Sequence, residues 1–177
     1  MQESTTDAPR RLVLVRHAKA EATASTDHER TLAARGRGDA EEAGRWLRAQ
    51  GIEPDAALVS DAVRARQTFE QIAVGASWDI EPELSAGLYA ADADSAFDLV
   101  RGTDAGVSTL VVVGHNPTIA YLAELVDDGE GDAEATTAMV TRGFPTSALA
   151  VFAVESTWTD LGPGTGRLEA FHVGKHD

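Results

Sequence analysis

The sequence predicts an α/β fold, a three-layer α/β/α sandwich built on a mostly parallel, mixed sheet. Two observations lead to it. Apolar runs at Leu12-Val13-Leu14-Val15 and Thr109-Leu110-Val111-Val112-Val113 each break into polar groups, Arg16-His17 in the first case and Gly114-His115-Asn116 in the second. Between and after them, segments with helical spacing alternate with short apolar runs in the order β-α-β-α-β-α-β-α-β-β, the pattern of helices covering both faces of a sheet.

Leu12–Val15 is apolar throughout and contains two β-branched residues, which suits a strand buried on both faces; periodicity alone also admits a buried helix. Glu21–Arg30 is polar and reads as a loop. Leu32–Gln50 is alanine-rich, with Ala40, Ala43, Trp46 and Leu47 at helical spacing and Gly51 as a stop. Ala56–Val59 is a second strand, Ser60-Asp61 offers N-cap residues, and Ala62–Ala73 is a second helix. Trp78–Ile80 is expected to be a short strand and Glu81–Ala91 a structured loop. A helix over Asp94–Arg101 is capped by Asp92 or Asp94. Thr109–Val113 is the strongest strand signal, with Asn116 as N-cap and Pro117 opening a helix that runs to about Val126. Asp127–Glu134 reads as an acidic loop, and Ala148–Val154 and Arg167–Val173 as a closing hairpin. Residues 1–10 are expected to form a flexible tail and residues 11–177 a single domain.

Composition narrows the function classes. A formal net charge of -14 repels phosphate backbones and anionic lipids, so neither nucleic acid nor membrane is an expected partner. The absence of cysteine excludes disulfides, thiolate zinc sites and cysteine nucleophiles. No signal-peptide core and no apolar stretch near the ~20 residues of a membrane span is present, and a cytoplasmic location is expected. The sequence carries no signal for an oligomeric state.

Helical crossovers make the first, second and later strong strand parallel, so their C-terminal ends share one edge, where open α/β sheets bind ligands. Arg16, His17, Arg64 and His115 are brought there, beside two helix N-termini. Forked guanidinium donors and helix dipoles suit a tetrahedral dianion such as phosphate. A neutral imidazole is a competent nucleophile toward phosphorus, and neighbouring arginines keep it neutral by like-charge repulsion. The same arginines oppose a bound cation, so no metal is expected. His28, His172 and His176 read as surface or structural groups, Trp46, Phe69 and Trp78 as core, and Lys19 and Glu21 as exposed loop.

At this level of detail the chain resembles the histidine phosphatase superfamily, which includes the phosphoglycerate mutases. Arg16-His17-Ala18 is similar to its first signature, Ser60-Asp61-Ala62-Val63-Arg64-Ala65-Arg66-Gln67-Thr68 to its second block, and Gly114-His115-Asn116-Pro117 to its third. Arg30-Thr31-Leu32-Ala33-Ala34-Arg35-Gly36 and Phe144-Pro145-Thr146-Ser147-Ala148 are similar to segments of the SixA-like phosphohistidine phosphatases within it. The resemblance implies a phosphoglycerate mutase-like fold and a cofactor-independent hydrolase. In it His17 is the phosphorylated nucleophile, Arg16, Arg64 and His115 bind and stabilise the phosphoryl group, and Arg30 is a further phosphate contact.

One position departs from the family. Many relatives carry a glutamate as general acid where this chain has Ala86, in Pro82-Glu83-Leu84-Ser85-Ala86-Gly87-Leu88. Either Glu83 substitutes for it, or the pocket has no carboxylic acid. A phosphate ester expels an alkoxide, which gains ~10²–10⁴-fold from a general acid, whereas a phosphohistidine has a labile P–N bond and a better leaving group. The expected substrate is therefore a phosphohistidine-bearing protein such as a phosphorelay domain. The alternatives are a phosphatase of small phosphate monoesters using Glu83, or a catalytically weak phosphoprotein-binding module.

Overall fold

The computed structural model describes residues 8–177, so of the expected tail residues 1–7 lie outside the described chain. Arg10, assigned to that tail, instead opens the first strand, where it pairs with Val154.

The elements follow one another as β1 (Arg10–Arg16), α1 (Ala34–Ala49), β2 (Ala56–Ser60), α2 (Val63–Ala76), β3 (Glu83–Ser85), α3 (Ala86–Ala90), α4 (Ala93–Arg101), β4 (Thr109–Gly114), α5 (Thr118–Val126), α6 (Ala133–Arg142), β5 (Ala148–Val154) and β6 (Gly166–Val173). Six strands form one sheet in the order β3-β2-β4-β1-β5-β6. The pairs β1/β4, β2/β4 and β2/β3 are parallel, while β5 runs antiparallel to both its neighbours. The sheet is thus mixed and mostly parallel, as the sequence predicted.

Alternation along the strands builds two cores. Leu12 and Leu14 of β1 face the layer containing Phe97, Ile119, Leu122 and Trp158. Val13 and Val15 face the layer of α1 and α2, against Leu47, Phe69 and Ile72. All four residues are at most 1% exposed, which is why the run shows no polar face. Helices α1 and α2 approach closely at Gly44 and Gly75, where a Cβ would collide with the facing helix's backbone at Ile72 and Glu41.

Several local expectations change. The strand expected at Trp78–Ile80 lies instead at Glu83–Ser85, and Ala86–Ala90 is helical, both within the segment read as loop. Trp78 is held by its indole N–H donating to the Ile52 carbonyl (3.0 Å), a tertiary bond that no strand pattern announces. The acidic loop gives way to α6, started by the Asp132 carboxylate accepting from the Ala135 N–H (2.8 Å). Asp92, the first of the two candidate caps, starts α4 by accepting from the Ser95 N–H (2.8 Å). The cap positions of α2 and α5 are Ala62 and Pro117, which offer no side-chain acceptor. Asn116, one residue earlier than α5's cap, still accepts at Oδ1 from the Ala120 N–H (3.3 Å), and Ser60 Oγ accepts from the Ala62 N–H (3.2 Å). Among the described residues no helix is long and apolar enough to cross a membrane.

Candidate active site

The C-terminal ends of β1, β2 and β4 meet at one edge, with Arg16 paired to Gly114 in the register of β1 and β4. The His17 N–H extends that pairing by donating to the Gly114 carbonyl (3.0 Å). Beyond it the Ala18 N–H donates to Thr68 Oγ1 (2.9 Å), whose own hydroxyl donates to the Arg64 carbonyl (2.7 Å). The Ser147 N–H donates to the His17 carbonyl (3.2 Å). Strand β4, helix α2 and the segment before β5 thus fix the histidine's backbone from three sides. Gly36 lets α1 close on the same turn, since a Cβ there would collide with the Lys19 carbonyl.

His17 is only 8% exposed. Its Nδ1 lies 2.8 Å from the Ala18 carbonyl, and because a carbonyl only accepts, the ring proton sits on Nδ1 and Nε2 keeps a free lone pair. Burial first, and then the charges of Arg64, Arg16 and Arg30, push its pKa down to about 4. The sequence reading credited the arginines alone; desolvation is the larger cause.

His115 faces it, with ring centroids 5.1 Å apart. Its Nε2 lies 2.7 Å from Ser60 Oγ, a fully buried hydroxyl that also accepts from the Ala62 N–H (3.2 Å). Burial and then the neighbouring His17 and Arg64 push the His115 pKa down to about 3. A Ser60 hydroxyl donating to Nε2 leaves Nδ1 as the protonated nitrogen, and Nδ1 is buried without a partner. Gly114 serves packing: a Cβ there would sit 3.1 Å from the Ile119 side chain.

The guanidinium groups are anchored at one end each. Arg16 donates from Nη1 to the Phe144 carbonyl (3.1 Å), which also accepts from Asn116 Nδ2 (2.7 Å). Arg64, 6% exposed in the first turn of α2, donates from Nη1 to the Asp27 carbonyl (2.8 Å) and from Nη2 to Asp27 Oδ2 (3.1 Å). Arg30 brings its Nε to 3.4 Å from Asp27 Oδ1. The Nε atoms of Arg16, Arg30 and Arg64 and the His115 Nδ1 are buried without a hydrogen-bond partner, although Arg30 Nε stands within ion-pair range of Asp27. Nε atoms without a hydrogen-bond partner also occur at Arg10 and Arg66; what marks this edge is that the charges of Arg16 and Arg64 act on both imidazoles and that of Arg30 on His17. Donors left over in this number fit an anion with several acceptor oxygens. A cleft at the opposite end of the sheet gathers Arg10, Arg11 and Glu169 but no histidine.

All five residues singled out from sequence, Arg16, His17, Arg30, Arg64 and His115, therefore lie in one cluster. Glu83 does not join them. It is exposed and paired with Leu58, two residues back from the edge, and lines a cleft with Asp55 and Asp104. Three participants carried no sequence signal. Asp27 binds both Arg64 and Arg30; Tyr89 donates its hydroxyl to Asp27 Oδ2 (2.7 Å); and His28, read as a surface or structural group, holds Asp61 (2.9 Å) and stands edge-on to Tyr89. His172 and His176 are structural, tied to Glu42 and Asp39 of α1. Among the described residues no group of three or more His, Asp or Glu is placed to hold a metal ion.

Comparison with known proteins places the chain in a family. A family model described as the histidine phosphatase superfamily (branch 1) matches residues 12–95. An uncharacterised protein of Mycobacterium tuberculosis is 38% identical over 160 residues, covering 90% of this chain and 99% of that protein. The phosphohistidine phosphatase SixA of Escherichia coli is 29% identical over 135 residues, 72% of this chain and 80% of that one. A solved structure from Nakamurella multipartitia, assigned as a phosphohistidine phosphatase SixA, superposes with a TM-score of 0.81 at 31% identity, covering 93% of this chain and 96% of that one. The tungstate complex of the protein histidine phosphatase SixA shares the fold, with a TM-score of 0.75 at 24% identity over 92% and 96% of the two chains. By sequence and by fold, this chain belongs to the histidine phosphatase superfamily and is SixA-like within it.

Proposed function

We propose that the protein is a cofactor-independent phosphatase that removes the phosphoryl group from phosphohistidine in a partner protein, such as a phosphorelay domain. The observation that carries this reading is a buried, neutral His17 with its Nε2 lone pair free, set among Arg16, Arg30, Arg64 and His115. Family membership supports phosphatase chemistry, and the similarity to SixA proteins supports the substrate class.

His17 Nε2 attacks phosphorus in line and the leaving group departs with its electron pair on the side away from His17. The arginines and His115 Nδ1–H bind the phosphoryl oxygens and hold the charge that spreads over them in the transition state. Water then displaces the phosphoryl group from Nε2, releasing phosphate and restoring the neutral imidazole. Ala86 opens α3 with no acid to offer, and Glu83 stands outside the cluster, which disfavours the ester-hydrolysing alternative.

The test is trapping of an acid-labile phosphoenzyme from a phosphohistidine peptide, with His17→Ala beside the wild type. Phosphoenzyme and turnover in the wild type, both lost in the variant, are expected. Undiminished hydrolysis by His17→Ala refutes the nucleophile assignment. Tight retention of the phosphopeptide without turnover points to a binding module instead.

A further inference from the structure

Asp27 is the carboxylate attached to the phosphate cradle. It accepts from Arg64 Nη2 (3.1 Å) and from the Tyr89 hydroxyl (2.7 Å), and Arg30 Nε stands 3.4 Å from its other oxygen. Its side chain is nevertheless 57% exposed, whereas the Arg64 side chain it holds is 8% exposed. A negative charge beside a dianion site opposes phosphate binding, so this group needs a reason to be there. The Tyr89 hydroxyl and the two arginines hold Asp27 below the usual carboxylate range, so it faces the pocket as an anion and an acceptor, not as an acid.

In-line attack puts the leaving group opposite His17. His17 is buried and the Asp27 side chain is exposed, so a leaving group directed away from His17 toward solvent passes the side on which the Asp27 carboxylate is open. Tyr89 lines the same side, its ring edge-on to His115 with centroids 5.5 Å apart and 5.9 Å from the Arg64 guanidinium carbon.

We propose that Asp27 is the specificity-determining residue of this site, accepting the ring N–H of a phosphorylated imidazole; this rests on the phosphohistidine reading above. A phosphorylated histidine carries phosphorus on one ring nitrogen and binds a proton on the other. When His17 Nε2 forms its bond to phosphorus, the substrate's P–N bond breaks and its electron pair returns to the ring. The proton on the distal nitrogen stays, so the group that leaves is neutral imidazole. A carboxylate accepting that N–H favours the protonated ring and stabilises it through the transfer. A phosphate ester has no such N–H, and an alkyl ester's oxygen also needs a proton that an ionised Asp27 does not supply. The same residue thus favours phosphohistidine and disfavours esters, which accounts for a pocket that works without a carboxylic acid at Ala86.

The experiment compares Asp27→Asn with wild type on a phosphohistidine peptide and on p-nitrophenyl phosphate. The substitution keeps the side chain's shape and removes its charge. Because Asp27 also anchors Arg64, both reactions slow, and the informative quantity is the ratio of the two kcat/KM values. That ratio is expected to fall at least tenfold in favour of the ester. Both substrates are read on one preparation, so any misfolded fraction cancels from the ratio. An equal loss on both substrates overturns the proposal and leaves Asp27 as a positioning residue for Arg64. An undiminished phosphohistidine rate also overturns it, while the phosphatase reading stands. A wild type that cleaves only the ester overturns the phosphohistidine reading itself, and the proposal with it.

Discussion

Replacing His17 by glutamine removes a buried imidazole whose protonation the fold resists, and the consequence is measurable without any substrate. In the unfolded chain a histidine titrates near 6.5, whereas burial brings folded His17 down to about 4. The folded pKa is the lower one, so below the unfolded value the unfolded state binds the proton first. His17's contribution to stability is therefore whole above pH 6.5 and is lost as the pH falls toward 4. Linkage across that shift gives a loss of roughly 2 kcal/mol between about pH 7.5 and about pH 5. The assay is urea unfolding of wild type and His17→Gln at those two pH values and constant ionic strength. Taking the difference between the two proteins cancels every carboxylate and histidine they share. Wild type is expected to lose roughly 2 kcal/mol more than the variant on acidification. His115, whose pKa His17 helps to lower, is partly relieved in the variant and adds in the same direction. A wild-type-minus-variant difference constant to within ~0.5 kcal/mol would show that His17 is not held neutral by burial, and the nucleophile argument would lose its basis.

Two further outcomes follow from the geometry. Ser60→Ala leaves His115 Nε2 without its 2.7 Å partner and frees the ring's tautomer. A lost buried hydrogen bond of about 1–3 kcal/mol corresponds to a fall in kcat on the order of 10-fold or more, read by steady-state kinetics, and an unchanged kcat removes Ser60 from the scheme. Glu83→Gln, on an exposed strand outside the cluster, is expected to leave turnover of both phosphohistidine and ester substrates within about twofold. A selective loss of ester turnover in that variant would restore Glu83 as an acid and the monoester reading with it.

What the sequence determined by itself lies in short consecutive stretches. Leu12–Val15 and Thr109–Val113 announce strands because continuous β-branched and aliphatic runs fit a sheet buried on both faces, and both are strands. Arg16-His17 and Gly114-His115 follow those strands directly, and Arg64 sits in the first turn of the helix after β2, so the parallel crossovers alone bring them to one edge. The weak elements were not legible in the same way. The three residues of β3 are too few to show a period, and α6 begins in acidic residues that read equally well as a loop.

Tertiary structure decided the rest, because it depends on contacts between residues far apart in the chain. Asp27 reaches Arg64 across 37 positions and Ser60 reaches His115 across 55, and nothing local at either end marks its partner. Burial works the same way. The low pKa of His17 comes first from the layers packed around it and only then from the neighbouring arginines that the sequence displays. The sequence therefore identified which side chains meet at the sheet edge. Only the packed chain fixed the tautomer of His17 and held both histidines neutral, and only it brought a carboxylate to the rim of the arginine and histidine cluster, since desolvation and hydrogen-bond partners are properties of the assembled fold and not of any stretch within it.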